Sequence, residues 1–233
     1  MRDVIFEQAR ERDANLTLLQ ETHLEDKDVY TWSKEWGADG GIMFSNNGYR
    51  SKAGQVILCK HDMTVDLHRV TEKGRIHCVL FKLADKKVLV VNVYGPHLKH
   101  DRCQFLVKLY RTLEDHADSC DVIILGGDFN IVPHPIWDKQ GGNTRVHRSQ
   151  LVLHELMHKQ GLVDIAREQQ PFAKLFTWSQ QKPPVFCRLD YFLVSDTCRE
   201  FVKAVNILPT VYTDHKCVEL VMQVKSGETT RNL

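Results

Sequence analysis

Several places in this sequence put a carboxylate, an amide, a phenol or an imidazole beside a run of strand-forming residues. Glu21 follows Leu18-Leu19-Gln20, Tyr94 follows Val91-Asn92-Val93, and Asp128 and Asn130 follow Leu125-Gly126-Gly127. Asp190 sits within Arg188-Leu-Asp-Tyr-Phe-Leu193, and Asp214-His215 precedes Cys217-Val218. Open α/β sheets present their chemistry at strand ends. Singly, each residue has an ordinary reading: turn formers for Asp128 and Asn130, a surface carboxylate for Asp190, a loop histidine for His215. Together they suit metal-assisted hydrolysis of a phosphate ester. A hard cation takes carboxylate oxygens and offsets charge building on the phosphoryl and leaving oxygens. A histidine backed by a carboxylate works near neutral pH.

The elements that must carry these residues are legible as periodicities. Helices are expected over residues 2–12, 101–117 and 148–160, from apolar residues at helical spacing. Strands are expected at residues 16–20, 41–45, 54–60, 75–83, 87–94, 122–125, 172–179, 188–194, 202–208 and 217–224. Residues 25–40 read as loop, with Trp32 and Trp36 as anchors, and residues 134–147 as irregular. Asn46-Asn47-Gly48 and Asp85-Lys86 mark hairpin turns. The run Lys87–Tyr94 is apolar almost throughout, which implies burial on both faces. Hairpins grouped between helices favour two packed, mainly antiparallel sheets over a doubly wound one.

Composition narrows the class. The chain has 233 residues, 42% hydrophobic and 26% charged, with a net charge of +1. That supports one packed domain, residues 1–225, with a disordered tail at 226–233. Phosphate binding would have to be local, since the chain is not strongly basic. Seven cysteines without a C-x-x-C pair suggest reduced thiols and an intracellular protein. No apolar run approaches a membrane span.

One motif points elsewhere. His154-Glu155-Leu-Met-His158, followed by Asp164, matches the zinc-protease pattern H-E-x-x-H, with His154 and His158 as ligands and Glu155 as base. Helical spacing places Val152, Leu153, Leu156 and Met157 on one face and these polar residues opposite. An amphipathic surface helix therefore explains them without a metal.

The strand-end motifs resemble those of the endonuclease/exonuclease/phosphatase family, the group with DNase I and exonuclease III. They are most similar to the endonuclease domain of LINE-type non-LTR retrotransposons. The matching pieces run in family order: Leu19-Gln-Glu-Thr-His23, Lys52-Ala-Gly54, Asn92-Val-Tyr-Gly-Pro96, Gly127-Asp-Phe-Asn130, Gly161-Leu-Val-Asp164, Phe176-Thr-Trp178, Arg188-Leu-Asp-Tyr191 and Thr213-Asp-His215. The resemblance implies a four-layer α/β/β/α sandwich, Mg2+ or Mn2+ as cofactor, DNA as partner, a nuclear location, and nicking of the retrotransposon or apurinic/apyrimidinic-endonuclease type. Glu21 and Asp214 would stand at the metal. Tyr94 and His215 would contact the phosphate, Asp128 and Asn130 would handle the attacking water, and Asp190 would pair with His215. Loop cations Arg50, Lys52, Lys99, His100, Arg102, Arg145, His147 and Arg148 would meet DNA phosphates, and Trp178 would lie at the rim. The sequence departs from the family at two points. The family's first strand, which ends in an Asn beside the metal, has no counterpart, and His97 stands where the family has Asn. A catalytically inactive, retrotransposon-derived binding module is therefore the alternative expectation.

Overall fold

The computed structural model describes residues 2–49, 52–61, 63–83, 85–210, 213–225 and 230–232. Arg50, and residues 226–229 and 233 of the expected tail, lie outside the described residues.

Helix α1 (Arg2–Glu11) buries Phe6 and Ala9 and leads into β1 (Leu16–Gln20). Helix α2 (Asp26–Trp36) occupies the stretch expected to be loop. Its apolar signal is thin, but Trp32 and Trp36 lie one turn apart and both pack on the Phe6 ring, at 5.5 and 5.4 Å. That spacing was the available helical cue. Strands β2 (Ile42–Asn46), β3 (Gln55–Cys59), β4 (Thr64–Glu72), β5 (Ile76–Leu83) and β6 (Lys86–Tyr94) follow. β4 was not expected, because most of its residues are exposed and polar. Leu83 pairs with Lys86, so the hairpin is tight, but Lys86, expected in the turn, already belongs to β6.

Helix α3 (Arg102–Glu114) crosses from β6 to β7 (Val122–Asp128), and these two strands are parallel. Then come α4 (Pro135–Asp138), β8 (Lys139–Gln140), α5 (Arg148–Lys159), β9 (Leu162–Val163) and α6 (Ile165–Gln169). The remainder is β10 (Trp178–Gln180), β11 (Val185–Cys187), β12 (Asp190–Ser195), β13 (Val202–Leu208), β14 (Cys217–Lys225) and β15 (Thr230–Asn232). Residues 172–177, expected as strand, are irregular, because the Arg167 guanidinium binds the carbonyls of Gln170, Pro171 and Ala173 and folds that segment back.

The larger sheet has the order β4-β5-β6-β7-β12-β9. Alternation assigns its faces. Leu89, Val91, Val93, Ile123 and Leu125 pack with Phe105, Leu106, Leu109, Leu153 and Leu156 of α3 and α5. Val88, Val90, Val122 and Ile124 point the other way, toward Ile57, Cys59, Val205 and Met222. β6 is thus buried on both faces, as its composition implies. The opposite layer consists of β1-β3-β2 and β13-β14-β15. Val56 and Leu58 of β3 turn outward against Phe6, Ala9 and Trp36 of α1 and α2. The result is the expected α/β/β/α sandwich. Among described residues, β1 pairs along one edge only, with β3, and Cys217–Met222 pair along one edge only, with β13. A small sheet, β10-β11-β8, stands at the rim.

Candidate active site

Between the two sheets, side chains change character toward one rim. Along β6 the residues facing the other sheet are Val88, Val90, Asn92 and Tyr94, and along β7 they are Val122, Ile124, Gly126 and Asp128. β12 runs antiparallel and brings Val194, Phe192 and Asp190 to the same face. Tyr94 pairs with Asp128, and Asp128 with Asp190, so one level of three adjacent strands carries a phenol and two carboxylates. Asp128 is therefore the last residue of a paired strand rather than a loop residue. The two glycines before it serve close approach. A Cβ on Gly126 would stand 2.4 Å from the Phe192 ring. One on Gly127 would stand 2.2 Å from the Val93 carbonyl oxygen, at a φ of +135° that strains any side chain.

Beneath this level lies a buried amide ladder. Gln20 donates to Asn92 Oδ1 at 2.7 Å, Asn92 donates to the Leu19 and Val56 carbonyls, and Gln55 donates to the Asn92 carbonyl at 2.8 Å. It joins the two sheets one step below Glu21 and Tyr94. The signal for it was present: amides interrupting otherwise apolar strands are expected to be paired when buried.

The opposite layer supplies the remaining groups. Glu21 extends from β1 at a φ of 52°, an uncommon conformation for a non-glycine residue that marks functional sites. It accepts a short hydrogen bond from the Tyr94 hydroxyl. Burial, then this bond, pushes the Tyr94 phenol well above its ordinary range, so it remains a protonated donor. Arg75, not singled out from the sequence, sits 5.0 Å over the Tyr94 ring and donates to the Tyr94 carbonyl.

His215 and Asp214 enter from the segment between β13 and β14. His215 Nδ1 lies 2.8 Å from Asp190 Oδ2, as expected. Burial works against a proton on His215, but the Asp190 hydrogen bond and the neighbouring carboxylates outweigh it and raise its pKa to about 9. The ring is an imidazolium at neutral pH. Asp128 behaves in the opposite sense. Its burial and the nearby Asp190 charge raise its pKa to about 7, against the stabilising influence of His215 and the Asn130 backbone N–H. Asn130, also at positive φ, donates from its side chain to Asp128 Oδ2 at 2.9 Å and to the Gly95 carbonyl. Its amide oxygen remains as an acceptor. Asp214 accepts from the Trp178 indole at 2.7 Å, and Trp178 bridges His215 through the backbone. Oxygen and nitrogen donors of Asp128, Asp190 and His215 all lie within 4.8 Å of one another.

These features decide the family together with the match of residues 2–215 to the family described as Endonuclease/Exonuclease/phosphatase family. The chain belongs to it. A curated relative, the uncharacterized 149 kDa protein of transposon TX1 from Xenopus laevis, is 28% identical over 221 residues, which is 92% of this chain and 16% of that protein. The chain thus spans about one-sixth of that relative's length. Among solved structures, the catalytic domain of Xenopus laevis APE2 superposes with a TM-score of 0.80 at 18% identity, covering 94% of this chain and 86% of that one. The endonuclease domain of TRAS1, a telomere-specific non-LTR retrotransposon, gives 0.71 at 15%, covering 94% and 90%. At these identities the likeness is one of fold.

The other expected residues fall outside this constellation. Lys52, Lys99 and Arg145 are exposed. Arg102 aims its guanidinium at the Pro96 and His97 carbonyls and so braces the turn after Tyr94. His147 caps α5 by accepting from the Ser149 N–H. The H-E-x-x-H motif does not assemble. His154 is half-buried rather than outward, its ring 4.8 Å from that of His134. Glu155 pairs with Lys159 at 2.7 Å. Asp164, the candidate third ligand, caps α6 and binds Arg188. Among the described residues the group of donors close enough to share an ion is Asp128, Asp190 and His215, which includes neither these residues nor Glu21 and Asp214.

Arg188 itself centres a second charged cluster that the sequence did not announce. It is 1% exposed and bonds both Asp138, at 2.8 and 2.9 Å, and Asp164. Arg167 closes the set onto Asp138. Two arginines and two aspartates balance, and these partners hold the Asp138 carboxyl below its ordinary range despite burial.

Proposed function

We propose that this chain is a divalent-metal-dependent endonuclease that nicks DNA, of the retrotransposon or apurinic/apyrimidinic-endonuclease type. The observation that carries the reading is the Tyr94–Asp128–Asp190–His215 row with Glu21 and Asp214 converging on it. Four carboxylates meet one imidazolium there, and burial together with the neighbouring Asp190 charge moves Asp128 toward its neutral form. Such a donor set fits a hard cation that prefers oxygen ligands. Glu21 and Asp214 would hold Mg2+ or Mn2+, each keeping one carboxylate oxygen beyond those used by Tyr94 and Trp178. When bound, the ion supplies charge stabilisation at the phosphoryl oxygens.

The chain's own residues do the rest. His215 offers its Nε2–H to a non-bridging phosphate oxygen while Nδ1 is held by Asp190, a charge-assisted contact that strengthens as negative charge develops. Tyr94, kept protonated, presents its hydroxyl at the same level. Asp128 accepts a proton from the attacking water, whose orientation is set by the Asn130 amide oxygen. Arg75, Lys52, Lys99 and Arg145 add phosphate contacts that carry little base information, and Trp178 lines the rim. No described helix is long and apolar enough to cross a membrane, and a DNA substrate fits a nuclear location.

Nicking of supercoiled plasmid in Mg2+, with EDTA and Asp128→Ala as controls, tests the reading. EDTA-sensitive nicking lost in the variant supports it. Folded protein that binds DNA without nicking it supports the inactive binding module instead.

A further inference from the structure

Away from this row, α4 and the loop after α6 bring exposed apolar side chains together. Ile136 is 83% exposed, Phe172 78% and Trp137 45%, and the Trp137 and Phe172 rings meet edge-on at 5.5 Å. Exposed aromatics on a mobile loop would mean little, but these are anchored. The Arg167 guanidinium holds three carbonyls of the loop bearing Phe172. With its other nitrogen it binds Asp138, the residue after Trp137. Asp138 is fully buried and also gripped by Arg188. One buried ion cluster therefore fixes both rings relative to each other and to β12.

The surroundings say what such a surface takes. From His134 to Arg148 the sole acid is the buried Asp138, while Lys139, Arg145 and Arg148 are cationic. From Gln170 to Lys174 there is no acid, and Lys174 reaches across to Gln140 at 3.1 Å. Aromatic faces on segments that carry cations and no exposed acid suit unpaired nucleobases on a phosphate backbone. The position is also connected. His215 bridges Trp178, Trp178 pairs with Cys187, and Cys187 pairs with Lys139. Three strand spacings, about 14 Å, thus separate His215 from the end of α4. That is roughly four phosphates along one strand at duplex rise.

We propose that Trp137 and Phe172 form a stacking platform for unpaired bases flanking the cleavage site, so that the substrate class is duplex DNA adjoining a single-stranded segment. The proposal rests on the endonuclease reading for its substrate, but its test is binding and needs no hydrolysis. Affinity is measured in EDTA for a blunt duplex and for the same duplex with a short oligo(dT) extension on either strand. The wild type is expected to bind one extended form about tenfold more tightly than the blunt form. Trp137→Ala/Phe172→Ala is expected to lose that difference, with blunt-duplex affinity, nicking rate and thermal midpoint unchanged, and Trp137→Phe to keep most of it. Equal affinities in the wild type, or a preference that survives the double substitution, overturn the proposal. So does wild-type self-association that the double substitution abolishes without any change in DNA binding, which would assign the surface to a second copy. A preference lost in the double variant of a protein that never nicks DNA sustains the platform and refutes the endonuclease. Nicking without any preference does the reverse.

Discussion

Two clusters of charge lie two residues apart on the same chain segment, and they obey opposite rules. Arg188 sits in a balanced, buried set with Asp138, Asp164 and Arg167. Asp190 sits in an unbalanced set at the rim, where carboxylates outnumber the one imidazolium. In the first, partners hold the Asp138 carboxyl low in spite of burial. In the second, burial and like charge lift Asp128 to about 7. Balanced charge in a protein interior organises structure. Unbalanced charge is a cost that a fold bears where something else completes the site, and on the reading proposed above that is a cation.

The comparison makes sharp predictions. The largest concerns activity. Asp128→Asn should lower nicking by about 10³-fold, within the range for loss of a general base, and leave stability unchanged or slightly higher because it removes a desolvated charge. A nicking rate within a few-fold of wild type would sink its catalytic role. Next is stability. Arg188→Met leaves buried Asp164 without its arginine and Asp138 with Arg167 alone, and should cost about 3–5 kcal/mol in urea unfolding, whereas Asp190→Asn should cost far less. Equal losses would erase the distinction between the clusters.

The pH dependence should also divide. Asp138 has a depressed folded pKa, so its stabilisation is present above the unfolded value near 4 and disappears as pH falls through the folded one. Asp128 and His215 are both raised. Their contributions are fully present at low pH. That of Asp128 is lost as pH rises from about 4 to about 7, and that of His215 as it rises from about 6.5 to about 9. Thermal scans in EDTA should therefore show the wild type losing stability between pH 5 and 9. Mg2+ should restore more at pH 8 than at pH 5, by about 1–3 kcal/mol at saturating concentrations. A metal effect independent of pH would contradict the charge imbalance. The smallest effect is expected for Tyr94→Phe, which removes the hydroxyl on Glu21. It should cost roughly 1 kcal/mol or less in stability and about tenfold in nicking, seen as a lower kcat at unchanged affinity for DNA.

Much of the site was legible because it is built on period-two alternation. Val88, Val90, Asn92, Tyr94 and Val122, Ile124, Gly126, Asp128 are straight readings of two strands, and the chemistry simply ends each series. Glu21 and His215 followed from the same logic at other strand ends. Elements with weak alternation escaped: β4 exposes polar residues on most of its length, and α2 shows little beyond Trp32 and Trp36. The H-E-x-x-H motif misled because helical spacing brings His154 and His158 onto one face whether or not a ligand joins them, and His154 turns its ring against that of His134. The balanced cluster was invisible. Arg188 finds Asp138 and Asp164 at separations of 50 and 24 residues, and nothing local distinguishes a buried arginine from a solvated one.

The sequence by itself determined the alternating strands that carry the candidate site, the chemistry-bearing residue at the end of each, and the family to which the order of those residues belongs. These are local properties, set by side-chain alternation and backbone preference. Only the tertiary structure decided that Asp128 approaches neutrality, that Arg102 and Asp164 brace rather than bind or ligate, and that Trp137 and Phe172 are held side by side. Those outcomes depend on burial and on charges brought close through space. The same residue types in the same order would carry different charges in a different packing.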